Sequence, residues 1–500
     1  MNKVNQKVAI AALTALIGGG ALLPFQAQAT SLAPVANIQQ AAVMNFNQQA
    51  EQAIKHLISK GVLKGYADGN IRAEKHVTNA ELIKMIVLAL NLDPSGEAQN
   101  NEGKKDKWYT TYVDIAIDKG LIDSADKFQP NKPVVGTDVT AMLAKALQRD
   151  TKSIQYWMEG FQIANDKITR GQTAQLLVLS EQAIRSSSAQ IVSIKALNKI
   201  TFEVTFTAPL TLEDETTAAA NTNFAFDHDL KLVNQPRLKT GSIATYIVPV
   251  QTMTPGTTYT TNYKGKKTHS VVSSEELIHF NEVRQVTSDT FEVDALLAEG
   301  VVDYGYLISA YAGGRGTNAI VLDENNKYNG QTMQVISSLA TRQATLTPEN
   351  GEPITVGYVG FTQSTDGKQE PKFRLPAGTS LQPGVKYTVS SNWFELDNNT
   401  FTAGTISPLT IASVDKVDDA TINVTLTEDP TDELFAYRSI ELKGSDGTTL
   451  TAQYKVQTRK GAVGVFELQN NGKLVEGVDY EITPIGSWAV ANQVTLKSSL

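Results

Sequence analysis

The stretch GVLKGYADGNIRAEKHVTNAE, residues 61–81, decides the fold of its half of the chain through two pieces of local chemistry. Asp68 and Gly69 have the signature of a tight turn: the aspartate bonds backbone nearby, and glycine accepts the positive φ of the corner. Thr78 to Glu81 has the spacing of a capping box, in which hydroxyl and carboxylate satisfy orphan N–H groups at a helix start. The spacing therefore predicts a loop that feeds a capped helix. Leu82, Ile83, Ile86 and Leu90 then recur at three and four along that helix, and Ile54, Leu57 and Ile58 do the same before the loop.

Working outward, the pattern returns twice. Trp108 precedes GLIDSADKFQPNKPVVGTD (120–138), and Trp157 precedes KITRGQ (167–172), where Thr169 and Gln172 repeat the capping spacing. The position after each capping threonine lies in the first helical turn. There, exposed N–H groups and the positive end of the helix dipole favour anions, and Arg170 would add a guanidinium fork for a carboxylate or phosphate.

After Ser186 the grammar changes, with Ser186 to Ser188 reading as a short linker. Strand pairs open three successive copies: IVSIKALNKITFEVTF (191–206), FNEVRQVTSDTFEVDAL (280–296) and IASVDKVDDATINVTL (411–426). Each copy closes on one phrase, MTPGTTYT (253–260), LQPGVKYT (381–388) or LVEGVDYE (474–481), which is turn chemistry before a Tyr-containing strand. The middle copy is longer, with its extra segment near Leu296 to Gln334. Short strands and regular turns in units of this size predict immunoglobulin-like sandwiches.

The helical half resembles a set of three S-layer homology repeats, which read Trp, helix, G-[IL]-[IL]-x-G-Y-x-D-G-x-F-x-P, then I-T-R-A-E opening a second helix. The resemblance spans residues 47–185 and is densest in the first copy. It implies a three-repeat all-α module whose grooves hold secondary cell-wall polysaccharide, with the motif arginine meeting an acidic group of the glycan. By resemblance, Arg170 takes that role. The same position is Asn79 in the first copy, a neutral donor, and Gly136 in the second, while the third copy lacks the G-Y-x-D-G loop. Tyr66, Trp108 and Trp157 are candidates to stack on sugar faces.

The expected fold class is thus multidomain: an S-layer homology-type module followed by all-β immunoglobulin-like sandwich domains. Residues 1–29 read as a signal peptide, with Lys3 and Lys7 before an apolar stretch and Ala27 to Ala29 as the cleavage site. A mature N-terminal segment (30–46) leads into the wall-binding module (47–185). Sandwiches follow over 189–273, 275–405, which carries the insertion, and 408–500. Export, with no second apolar run, predicts a secreted cell-wall protein that leaves the membrane once the signal is removed.

Composition narrows the function. The 500-residue chain has net charge −8, spread without a basic block, and this argues against nucleic acid. It has no cysteine, so thiolate metal sites and cysteine nucleophiles are excluded. Five scattered histidines form no zinc-binding pair, and Gly313 to Gly316 lacks the ending of a phosphate loop. Acidic loops at Glu213 to Glu215, Asp227 with Asp229, Asp323 with Glu324, Asp415 with Asp418 and Asp419, and Asp429 with Asp432 and Glu433 suit Ca²⁺ at domain junctions. The expectation is a structural protein that binds wall polysaccharide and self-associates into a lattice, with no catalytic residues. An anchored adhesin, recognising ligand through Tyr304, Tyr306 and Tyr311 of the insertion, is the first alternative, and an anchored hydrolase the second.

Overall fold

A computed structural model describes residues 38–93, 107–161, 163, 167–294, 300–305, 320–361, 370–431, 435–456 and 458–497. The leader lies outside that range. A helical module is followed by a large β-rich region.

The helices are α1 (Ile38–Ser59), α2 (Asn79–Ala89), α3 (Thr110–Asp118), α4 (Gly136–Ala146), α5 (Thr151–Gly160) and α6 (Arg170–Gln182). The extended residues before α2, α4 and α6 meet at the centre and close a ring of backbone hydrogen bonds. Val77 N–H donates to Ile168 O (3.1 Å), Ile168 to Val134 O (3.2 Å) and Val134 to Val77 O (2.9 Å). All three side chains are buried, so each β-branched residue supplies both a rung of the ring and a piece of the core. Both expected capping boxes form, Thr78 with Glu81 and Thr169 with Gln172, whereas α4 starts at Val135 with no side-chain cap. Gly171 lets α6 approach closely: a Cβ there would lie 2.9 Å from the Ala50 Cβ.

In the first β unit a four-stranded sheet and a three-stranded sheet enclose a core containing Phe202, Phe206, Phe224, Tyr246 and Tyr263. The middle and last units each form one eight-stranded sheet. In both, a short late strand lies parallel to the first strand: Phe394–Asn398 on Ile278–Gln285, and Ala489–Ala491 on Leu409–Lys416. The closing phrases are scaffold in all three units. The hydroxyls of Tyr259, Tyr387 and Tyr480 accept the N–H groups of Thr254, Gln382 and Val475 at 3.0, 2.9 and 2.9 Å. Gly256, Gly384 and Gly477 take positive φ at the preceding turn.

The insertion differs from expectation. Val301–Asp303 pairs in parallel with Gln334–Ile336, and Val302, Tyr304, Ile320, Leu322, Met333 and Val335 pack against Ile247 of the first unit. Tyr304 is fully buried, and its hydroxyl accepts the Thr240 N–H, so it presents nothing to an external ligand. Tyr306, Tyr311 and Gly313 to Gly316 lie outside the described residues. The Ser186–Ser188 linker is bonded in place: Ser186 N–H donates to Pro209 O, and neighbouring Arg185 reaches Leu210 O and Glu215.

Arginines make the junctions. Arg149 donates to the carbonyls of Lys239, Ser242 and Ile243 in the first unit. Arg342 of the middle unit donates to Val250 O of the first at 2.8 Å. Arg438 of the last unit grips Asp289 of the middle one through two bonds, of 2.6 and 2.8 Å. Burial alone would raise the Asp289 pKa, but the bonds and charge of Arg438, with Arg374, outweigh it and hold the group at about 2.

A depressed carboxylate contributes stability above its unfolded pKa and loses it as pH falls through the folded one. The Arg438–Asp289 pair should therefore contribute about 2 kcal/mol that disappears between about pH 4 and pH 2. Asp289→Asn should cost about 3 kcal/mol at neutral pH, because Arg438 stays buried, and should flatten that acid limb. Urea unfolding measured across the pH range checks both effects.

Candidate functional site

The ring of backbone bonds sets each capped helix start against the loop of a neighbouring repeat. The first N–H groups of α6, from Arg170 and Gly171, donate to Lys75 O and Ala73 O at 2.8 Å each. Those of α2, from Asn79 and Ala80, donate to Lys132 O (3.0 Å) and Pro130 O (3.1 Å). This corrects the expectation of an open anion site at the helix dipole. The N–H groups are already occupied, so any charge offered to a ligand must come from side chains.

Such a charge exists at one start. Arg170 is 8 % exposed, its Nη2 donates to Lys64 O, and its Nε is buried without a hydrogen-bond partner. Its guanidinium carbon stands 5.3 Å from the centroid of the Tyr66 ring. Arg72, at 4.0 Å, and Lys75, at 5.7 Å, lie against the same ring, so three cations surround one tyrosine. Arg72 is paired with Asp68 at 2.9 Å and Lys75 with Glu81 at 3.4 Å. Arg170 has no carboxylate within ion-pair distance among the described residues; burial lowers its pKa, with Tyr66 and Glu81 acting against that shift. The loop that carries Tyr66 folds as its sequence predicts: Asp68 accepts the Asn70 N–H at 3.0 Å, and Gly69 has φ +74°.

The structure thus brings Arg170 and Tyr66 together and leaves the other candidates elsewhere. Asn79 occupies the equivalent place in the next groove, where its Nδ2 donates to Gln129 O at 2.9 Å and its Oδ1 is buried without a partner. Gly136 opens α4, as its alignment with Arg170 requires. Trp108 is 40 % exposed, with Tyr109 and Lys84 as its ring neighbours.

Trp157 is not a sugar platform. It is fully buried, Arg149 lies 5.0 Å over its ring, and its Nε1 donates to Gly241 O at 2.6 Å. It fastens the helical module to the first β unit. Sequence reasoning missed Arg72 and Lys75, although both belong to the quoted loop: each lies an even number of residues from Asp68 or Glu81, and no periodicity marks them as ring neighbours.

The acidic loops hold their own backbone or a nearby cation. Asp214 accepts from Lys264 (2.7 Å), Glu215 from Arg185 and Tyr246 (2.6 Å each), and Asp323 from the N–H groups of Asn325 and Lys327 (2.8 Å each). Asp418 and Asp429 likewise accept N–H groups two residues on, and Asp432 and Glu433 lie outside the described residues. Among the described residues, no three histidine, aspartate or glutamate side chains are grouped so that they could hold a metal ion.

Residues 48–83 match the S-layer homology domain. The chain is 29 % identical over 125 residues to the surface-layer 125 kDa protein of Lysinibacillus sphaericus, an alignment covering 24 % of this chain and 10 % of that protein. It is 23 % identical over 236 residues to the S-layer protein sap of Bacillus anthracis, covering 40 % and 29 %. An amylopullulanase of Thermoanaerobacterium thermosulfurigenes is 25 % identical over 163 residues, covering 29 % and 9 %. The matches thus span less than a third of these relatives' own lengths. The crystal structure of the S-layer protein rSbsC aligns over 90 % of this chain and 73 % of that one, at 13 % identity and a TM-score of 0.15, too low to carry an argument.

The groove depends on its helix start. Thr169→Ala removes the hydroxyl that caps α6, and should lower the stability of the module by about 1 kcal/mol, read as a fall in its thermal unfolding midpoint.

Proposed function

We propose that this chain is a secreted, cell-wall-associated S-layer protein that holds secondary cell-wall polysaccharide in the groove between Arg170 and Tyr66. The observation that carries the reading is Arg170 itself, a cation 8 % exposed, with no carboxylate within ion-pair distance among the described residues and an unused Nε donor. A planar guanidinium fork matches a carboxylate, and a glycan bearing an acidic group beside a hydrophobic ring face would use both Arg170 and Tyr66. Asn79 in the neighbouring groove offers a neutral counterpart, so the two grooves would differ in charge preference.

The β-rich units would carry the other half of the function, contact with further copies in a surface lattice. Their buried ionisable groups favour binding and assembly over turnover: Arg149, Arg342, Arg438 and Asp289 are all engaged in holding one unit to the next. Of the three tyrosines on which the adhesin reading rests, Tyr304 is sealed in a junction, and Tyr306 and Tyr311 lie outside the described residues.

Sedimentation of the full mature chain with purified wall sacculi tests the anchor. Arg170→Ala should weaken binding at least tenfold, and Arg170→Lys should restore little of it, because an ammonium lacks the planar fork. Wild-type binding by Arg170→Ala would remove Arg170 from the site. Negative-stain microscopy of the purified chain tests the lattice, which predicts periodic sheets rather than dispersed particles.

A further inference from the structure

A second cation lacks a counter-charge, and it stands far along the sequence from the helical module. Arg342 is 5 % exposed, and among the described residues it meets only backbone carbonyls: Ser338 O at 3.1 Å, Val250 O at 2.8 Å and Ile200 O at 3.5 Å. Burial pushes its pKa down to about 10, and no carboxylate acts against that shift. A buried charge is costly unless it is paired, and carbonyl dipoles compensate it less well than an anion would.

Arg342 lines a cleft of about 800 Å³ between the first and middle β units, a volume within the usual range for small-ligand sites. It is the sole charged residue in that lining. Most of the other lining residues carry uncharged hydrogen-bonding side chains, among them Gln251 and Thr252 from the first unit and Gln343, Thr345, Ser391 and Asn392 from the middle one, with Val233, Ala344 and Trp393 as the apolar part. Thr252 and Asn392 already meet across the junction at 3.3 Å. Thr341, next to Arg342, has φ +63°, a conformation that costs a β-branched residue energy and persists only where its surroundings impose it.

We propose that this inter-unit cleft binds an acidic saccharide, a short run of polyhydroxylated rings carrying a carboxylate or phosphate, with the acid group directed to Arg342. Hydroxyl and amide walls suit the many donors and acceptors of sugar rings, and the lone cation selects for one negative charge. An acidic loop from a protein partner would satisfy the cation but leave most of those walls without use. The site is separate from the Arg170 groove, shares no residue with it, and does not rest on the function proposed for that groove.

Isothermal titration of the full mature chain with trigalacturonate, and with maltotriose as the neutral control, tests the proposal. The expected result is binding of trigalacturonate at least tenfold tighter than of maltotriose, weakening as salt rises. Asn392→Trp, which fills the exposed side of the cleft and leaves Arg342 in place, should abolish that binding with the unfolding midpoint unchanged. Arg342→Gln should abolish it too. Binding should persist in Arg170→Ala. Loss in Arg170→Ala with retention in Asn392→Trp would move the binding to the helical groove and overturn the proposal. So would equal affinity for the two sugars, or binding of neither at millimolar concentration. Self-association that Asn392→Trp disrupts, without saccharide binding, would overturn it in favour of a protein partner.

Discussion

Three backbone hydrogen bonds between Val77, Val134 and Ile168 constrain everything in the helical module. They come from segments far apart in sequence, so the ring can close only when all three repeats are present. Once closed, it fixes where each following helix begins and which loop that helix faces. Neighbouring loop carbonyls then take the helix-start N–H groups that would otherwise need water or an anion. The grooves are therefore built by one repeat upon the next, and the chemistry of each is set by a single side chain: Arg170 in one and Asn79 in another. Symmetry of backbone and asymmetry of side chain coexist at no cost to the fold.

The β-rich region follows a different rule, in which each unit has its own core and the junctions carry the specificity. Trp157 and Arg149 clasp the loop around Gly241, Arg342 reaches back to the first unit, and Arg438 holds Asp289. The insertion of the middle unit joins this pattern, because Val302, Tyr304 and Leu322 close over Ile247. A series of units on flexible linkers would transmit little force or orientation from the wall outward. Junctions with buried charge and buried aromatic rings hold one unit at a defined angle to the next instead.

Local chemistry was legible in the sequence, and non-local chemistry was not. The turn at Asp68 and Gly69, both capping boxes and the tyrosines of the three closing phrases involve partners within a few residues, so spacing alone exposes them. Trp157 shows the limit. An aromatic residue at the head of a repeat has the same sequence signature whether its ring faces a sugar or a carbonyl 84 residues away. Tyr304 was misplaced for the same reason, since a tyrosine-rich insertion reads as an exposed loop until its partner strand at Gln334–Ile336 is known. The helix-dipole argument failed more instructively, because the donors were placed correctly but their acceptors belonged to another repeat.

Arg438 relies on a carboxylate, but the other junction arginines find their acceptors mostly in peptide carbonyls. Arg149 takes three from the stretch 239–243, Arg342 takes three more, and Arg374 takes that of Ala436. A carbonyl is present whatever side chain it carries, so the accepting surface can drift in sequence while the mechanical coupling stays intact. Gly241 is constrained by contact, since a Cβ there would come within 2.6 Å of Val321, but its neighbours in the loop are not so bound. Paired substitutions across such a joint would therefore be scarce however much strain it bears. A lineage could exchange whole outer units, altering what its cells display, without re-evolving the hinge that carries them.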